Sequence, residues 1–220
     1  MHSKSGDSFP DLISEDCFPL EMGGDGAVAG VAVGAFNGDA NNDLVLGLPN
    51  ETASVNESGR PYLILGTKGK FDPQPAPVAI DTLPDVVLID GALAGDKAGG
   101  PLAMGNVNGD KNATHDIDDL IIGEPVSQHG IVNSSGFGKA QVLLGRASVP
   151  AKMDLFDDAA TLTLRIKREV DEGGLADKGF YTGTAVLADD INGDISMAPQ
   201  QNLWVAEVGL RQMIRFVLSG

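Results

Sequence analysis

Three short stretches of this 220-residue chain carry residues able to do chemistry, and all three carry the same kind. Asn37-Gly38-Asp39, Asn108-Gly109-Asp110 and Asn192-Gly193-Asp194 each put an amide and a carboxylate on a tight turn. Side-chain oxygens at alternate positions of such a turn converge on one point. That is the donor type of a hard cation such as Ca²⁺, which takes roughly six to eight oxygens. The plainer reading is that Asn-Gly is the strongest short hairpin signal and needs no metal. Charge favours cations: 31 Asp and Glu against 15 Lys and Arg leave a net charge of −16 and a pI near 4.3. The same balance argues against nucleic acid and anionic membrane surfaces, both of which demand a basic patch.

Other chemistry is hard to find. The single Cys17 excludes an internal disulfide framework and any cysteine-based zinc or iron–sulfur site. His2, His115 and His129 fall in or near loops, with no serine or carboxylate that the sequence places beside them. Walker, dinucleotide-binding, H-E-x-x-H and G-x-S-x-G elements are all missing. The glycine-rich run 134–139 lacks the spacing that cradles phosphates and reads as the turn into a strand over 140–144. Trp204, in Leu-Trp-Val, reads as core. No catalytic residue is assigned, although scattered acids leave a carboxylate pair for hydrolysis open. No run approaches the roughly 20 apolar residues of a membrane span. The stretch 1–7 has no apolar segment of the secretory kind.

The elements that must position these turns are strands. Twenty-nine glycines and 12 prolines punctuate the chain into short apolar runs. Three units share one layout. The first has runs at 31–36, 43–48 and 61–65; the second at 101–105, 119–123 and 140–144; the third at 184–188, 203–206 and 213–218. The Asn-Gly-Asp markers stand 71 and 84 residues apart, so loops of unequal length interrupt a common unit. Further strand-like runs lie at 85–90 and 161–167. In the latter, Leu162, Leu164 and Ile166 alternate with Thr163, Arg165 and Lys167 at a period of two. Four strands per unit, repeated in line, predict an all-β fold of propeller blades with four antiparallel strands each. The near-continuous apolar runs suit strands buried on both faces. The organisation expected is a tail over 1–16 and an array over 17–220, with units at about 17–80, 81–150 and 151–220.

The stretch Asn106-Val107-Asn108-Gly109-Asp110, then Asp118-Asp119-Leu120-Ile121-Ile122-Gly123-Glu124-Pro125, then Gly138-Lys139-Ala140-Gln141-Val142-Leu143-Leu144-Gly145, resembles the FG-GAP repeat. This is the repeat of integrin α-subunit β-propellers and their bacterial relatives. Ala94-Gly95-Asp96-Lys97-Ala98-Gly99-Gly100 resembles the lead-in to that motif, and Phe18-Pro19-Leu20-Glu21 resembles the N-terminal strand that closes such rings by completing the last blade. The resemblance implies Ca²⁺ in the loop between the first two strands of each blade, on a D-x-[DN]-x-[DN]-G-x-x-D pattern. The third copy offers Asp190, Asn192, Asp194 and, after an insertion, Asn202. The second offers Asn106, Asn108, Asp110 and Asp119, with Asp116 and Asp118 as substitutes. The first offers Asn37, Asp39, Asn41 and Asp43, with Ala35 in the place of the first ligand. No copy matches the pattern in full.

Two functions follow as expectations. One is a Ca²⁺-stabilised, non-catalytic binding or adhesion module for a protein or glycan, at the cell surface or outside the cell as the resemblance implies. The other is a propeller that carries or supports polysaccharide hydrolysis or lyase chemistry. Rings run from about four to eight blades, so three units imply either a partial array or a head-to-tail homo-oligomer.

Overall fold

The computed structural model describes residues 18–23, 27–53, 57–74, 76–125, 138–155, 161–164, 181–189, 202–208 and 212–216. Fourteen strands follow in chain order: β1 (Leu20–Glu21), β2 (Gly30–Gly34), β3 (Asp43–Leu48), β4 (Arg60–Ile64), β5 (Val78–Ala79), β6 (Val86–Asp90) and β7 (Leu102–Gly105), then β8 (Asp119–Glu124), β9 (Lys139–Leu143), β10 (Lys152–Asp154), β11 (Thr161–Leu164), β12 (Tyr181–Asp189), β13 (Asn202–Val208) and β14 (Gln212–Phe216). A single 3₁₀ turn, Ile80–Thr82, is the only helical element among the described residues. The described residues are all-β, with several sheets.

Each Asn-Gly-Asp turn described joins the first two strands of an antiparallel meander. β2, β3, β4 and β6 pair in succession in the first sheet, and β7, β8, β9 and β11 in the second. β12, β13 and β14 form a third. The sequence explains which strands lie where. β3 and β8, the runs Asp-Leu-Val-Leu-Gly-Leu and Asp-Leu-Ile-Ile-Gly-Glu, are buried almost throughout, as continuous apolar runs require. β2 alternates, with Val31 and Val33 more than half exposed and Ala32 buried. It is an edge strand of its sheet.

The core lies between sheets. Val45, Leu63 and Val87 of the first sheet meet Leu120, Ile122 and Leu143 of the second, with Leu102 and Met104 packed against them. The opposite face of the second sheet gathers Val107, Ile121, Ala140 and Val142, with Val186 of β12 against it. The far face of the first sheet is covered by Leu20, Met22, Ile80 and Leu83 over Leu46, Leu48, Tyr62 and Ile64.

Two pairings differ from the expected layout. The opening segment does not complete the last unit: β1 pairs in parallel with β5, where Leu20 meets Val78. β10 adds to the first sheet as an extra, parallel strand beside β6. Sheet membership also runs past the divisions at 80 and 150, because β6 joins the first sheet and β11 the second. The tail over 1–16 lies outside the described residues.

Candidate metal centre

Asn-Gly sits at the head of both described turns because the second residue must adopt a left-handed backbone: φ is +67° at Gly38 and +76° at Gly109. Each turn is then closed by the Asp that opens the returning strand. Asp43 is 1% exposed; its Oδ2 accepts the Asn37 N–H at 3.3 Å and its Oδ1 the Gly66 N–H at 2.8 Å. Asp119 is fully buried; its Oδ2 accepts the Val107 and Asn108 N–H groups at 2.9 and 3.3 Å, and its Oδ1 the Gly145 N–H at 3.0 Å. One carboxylate thus ties the ends of three strands together, in the same way in both sheets. Burial raises the carboxyl of Asp43, and pushes that of Asp119 up to about 6 against the backbone N–H groups it accepts.

The remaining candidate ligands are arranged differently in the two turns. In the first, Asn37 Nδ2 donates to Asp39 Oδ2 at 2.9 Å, while the Asn41 N–H and Nδ2 donate to Asp39 Oδ1 at 2.6 and 3.2 Å. Asn37 Oδ1 accepts the Asp39 N–H at 3.0 Å. Both Asp39 oxygens are therefore satisfied from within the turn. Burial works to raise its pKa, but the donors from Asn41 and Asn37 outweigh it and hold the carboxyl below its ordinary value. In the second turn, Asn106 Oδ1 accepts the Gly109 N–H at 2.7 Å, its Nδ2 donates to the Asp110 carbonyl at 2.5 Å, and Asn108 Oδ1 accepts the Asp110 N–H at 3.0 Å. Asp110 Oδ1 is buried with no hydrogen-bond partner among the described residues. A buried carboxylate oxygen without a donor costs free energy that a cation would recover.

The insertion after the second turn returns to it through the Ile117 N–H on the Asp110 carbonyl at 3.2 Å, but its Asp118 and Asn112 side chains reach the first turn instead. Asp118 Oδ2 accepts the Ala35 N–H at 2.8 Å, the Asp118 N–H donates to the Ala35 carbonyl at 3.0 Å, and Asn112 Nδ2 donates to the Gly38 carbonyl. Asp118 thus clamps the first turn from the neighbouring sheet, and Asp116 forms an isolated antiparallel backbone bridge with Lys111. Strand alternation is the signal for this, since Asp118 and Asp119 point to opposite faces. Asp190, Asn192 and Asp194 lie outside the described residues; Asn202 opens β13, paired with Asp189. Among the described residues, no group of three or more His, Cys, Asp or Glu side chains is gathered as a metal site. A cation at the second turn would therefore draw on amide, backbone and water oxygens as well as Asp110. These donors are all oxygen, which fits Ca²⁺ and not a softer metal.

Compared with known proteins, the chain matches no family model and no curated protein.

Sequence reasoning missed a second kind of site. Arg60 opens β4 and reaches Glu51 Oε1 at 2.9 Å and Asp90 Oδ1 at 2.8 Å, and Lys152 reaches Asp90 Oδ2 at 2.7 Å. Lys139, which opens β9 at the equivalent place, lies against Glu124 and Asp96. Positions this far apart in sequence carry no local pattern, and only the shared place of Arg60 and Lys139 in the repeat could have signalled them.

Proposed function

We propose that the chain is an array of FG-GAP-type propeller blades that binds Ca²⁺ through its acidic turns and acts as a non-catalytic binding or adhesion module outside the cell. The observation that carries the calcium part is Asp110 Oδ1, a buried oxygen without a donor in a turn whose other side chains are oriented by hydrogen bonds. The common Asp43 and Asp119 ties support reading the two sheets as copies of one blade. Asn106, Asn108 and Asp110 are the residues proposed to hold the ion, with Asp119 acting chiefly as the tie; Asp39, satisfied by its neighbours, makes the first turn a plain hairpin. Asp190, Asn192 and Asp194 extend the proposal to the third copy.

The packing also supports a ring. Leu102 and Met104 of β7 press on Gly30, Gly47 and Gly34 of the preceding sheet, and Val186 presses on the sheet before it. Val31 and Val33 hold the corresponding places on β2 and are exposed at 59% and 56%. In the proposed assembly another blade covers them, in a head-to-tail oligomer of this chain. Native mass measurement with Ca²⁺ and with EDTA tests both parts. Ligand-dependent mass and a closed oligomer are expected, and a monomer with no bound ion would reject the proposal.

A further inference from the structure

Lys139, Glu124 and Asp96 form an ion cluster shut off from water between the first two sheets. Lys139 is the first residue of β9 and lies directly opposite Glu124, the last residue of β8. Asp96 arrives from the connection between β6 and β7, which is pinned by the Ala98 N–H on the Ser58 carbonyl and the Gly99 N–H on the Gly123 carbonyl. Lys139 Nζ stands 2.8 Å from Glu124 Oε2 and 3.4 Å from Asp96 Oδ2, and the three side chains are 4%, 0% and 1% exposed. Gln141 Nε2 donates to Glu124 Oε1 at 2.6 Å and fixes that carboxyl. Besides Lys139, no hydrogen-bond donor among the described residues reaches Asp96 Oδ2 or Glu124 Oε2. The cluster holds two acids for one base. Burial pushes the Glu124 carboxyl up to about 8; Lys139 opposes the shift and Asp96 adds to it.

We propose that Lys139 Nζ and Asp96 Cγ condense into an isopeptide bond, with Glu124 as the proton-transfer group. Glu124 passes its proton to Asp96, which makes that carboxyl an electrophile, and takes one from the Lys139 ammonium, which frees the Nζ lone pair. Nζ then bonds to Cγ. A second nitrogen proton moves through Glu124 to the departing oxygen, the C–O bond breaks, and water leaves. Ammonium and carboxylate become an amide and one water, and Glu124 ends as it began. No oxidant, nucleotide or metal is required.

Three physical terms favour the step. The reacting groups are held in contact, which for well-oriented groups is worth effective concentrations of roughly 10⁵–10⁸ M. The amide replaces a desolvated ion pair and so removes its burial penalty. Exclusion of water protects the product from hydrolysis. Asp96 is the electrophile and Glu124 is not, because directly opposed strand residues have Cβ atoms only about 5 Å apart, and a Lys–Glu amide between them would have to buckle. The equivalent place in the first sheet is barred from this chemistry. Arg60 carries a guanidinium that keeps its proton, and Lys152, beside Asp90, is 58% exposed.

Intact mass of the full-length chain under denaturing conditions, followed by peptide mapping, tests the proposal. The expected mass is one water below that of the sequence, with a branched peptide joining the Asp96 and Lys139 segments and no tryptic cleavage at Lys139. Lys139→Arg and Glu124→Gln should each restore the full mass. A wild-type chain of full mass with both peptides linear would overturn the bond, as would a water loss mapped elsewhere. A branched peptide that persists undiminished in Glu124→Gln would overturn the role of Glu124.

Discussion

The turn between β2 and β3 and the turn between β7 and β8 begin from nearly the same residues and end in different electrostatic states. Both are headed by Asn-Gly-Asp and both are closed by a buried Asp that gathers backbone N–H groups from two other strands. In the first, Asn41 and Asn37 consume both oxygens of Asp39. In the second, Lys111 follows Asp110 where Ala40 and Asn41 follow Asp39, and one Asp110 oxygen is left without a donor. The lesson is that the closing acid belongs to the fold, whereas the acid at the tip is available for a ligand only when its neighbours decline to satisfy it. The ion clusters differ in parallel. The first sheet spreads an Arg and a partly exposed Lys over its acids, and the second seals one Lys with two acids.

The largest expected effect comes from removing the closing acids. Asp119→Ala strands the Val107, Asn108 and Gly145 N–H groups, each costing about 1–3 kcal/mol when buried without a partner. Asp43→Ala strands those of Asn37 and Gly66. Chemical denaturation should show a loss of roughly 3–5 kcal/mol for the former and somewhat less for the latter, with or without Ca²⁺. Losses that vanish in EDTA would mean that the closing acids act through the metal instead.

A smaller effect separates the two ion clusters by pH. The Glu124 carboxyl is raised to about 8, so its contribution is complete below the ordinary carboxylate range and is lost as pH rises through about 8. Asp90 goes the other way: burial works to raise it, but Lys152 and Arg60 together hold it below its ordinary value. Its contribution is present above that range and is lost as pH falls through it. Melting temperatures across pH, read on chain that carries no Asp96–Lys139 bond, should show Glu124→Gln flattening the decline between the ordinary carboxylate range and about pH 8, and Asp90→Asn flattening the acidic one. Identical slopes in wild type and both variants would erase the distinction. The smallest effect is expected from Asp118→Ala, which frees the Ala35 N–H at the partly buried junction of the two turns, for a loss of about 1 kcal/mol.

Much of this was legible in the sequence, for physical reasons. Leu44-Val45-Leu46 and Leu120-Ile121-Ile122 mark strands buried on both faces, Asn-Gly marks the turns, and the alternation of Leu162 and Leu164 with Thr163 marks β11. Asp43 and Asp119 stand last in the loop pattern that the FG-GAP resemblance implies, where they count as ligands of the ion; their hydrogen bonds across three strands needed the structure. What could not be read depends on partners distant in sequence. β1 and β5 hold two residues each, too few for a pattern, and β10 reaches β6 across more than sixty positions. Asp118 resembled a spare ligand of its own turn until the neighbouring sheet stood beside it. Asp96, Glu124 and Lys139 are ordinary surface residue types by composition, and only the packing of two sheets buries them.

Thermal melting of the wild type, Asp110→Asn and Asp39→Asn in Ca²⁺ and in EDTA tests most directly whether the acidic turns take Ca²⁺. At a hundredfold excess over Kd, a bound ion stabilises the folded state by about 2.7 kcal/mol. For a chain of this length that corresponds to a rise of about 5–10 °C. The expected result is a Ca²⁺-dependent rise in the wild type that Asp39→Asn keeps in full and Asp110→Asn loses in part. Superimposable curves in Ca²⁺ and EDTA, or a rise that Asp39→Asn abolishes and Asp110→Asn leaves intact, would contradict it.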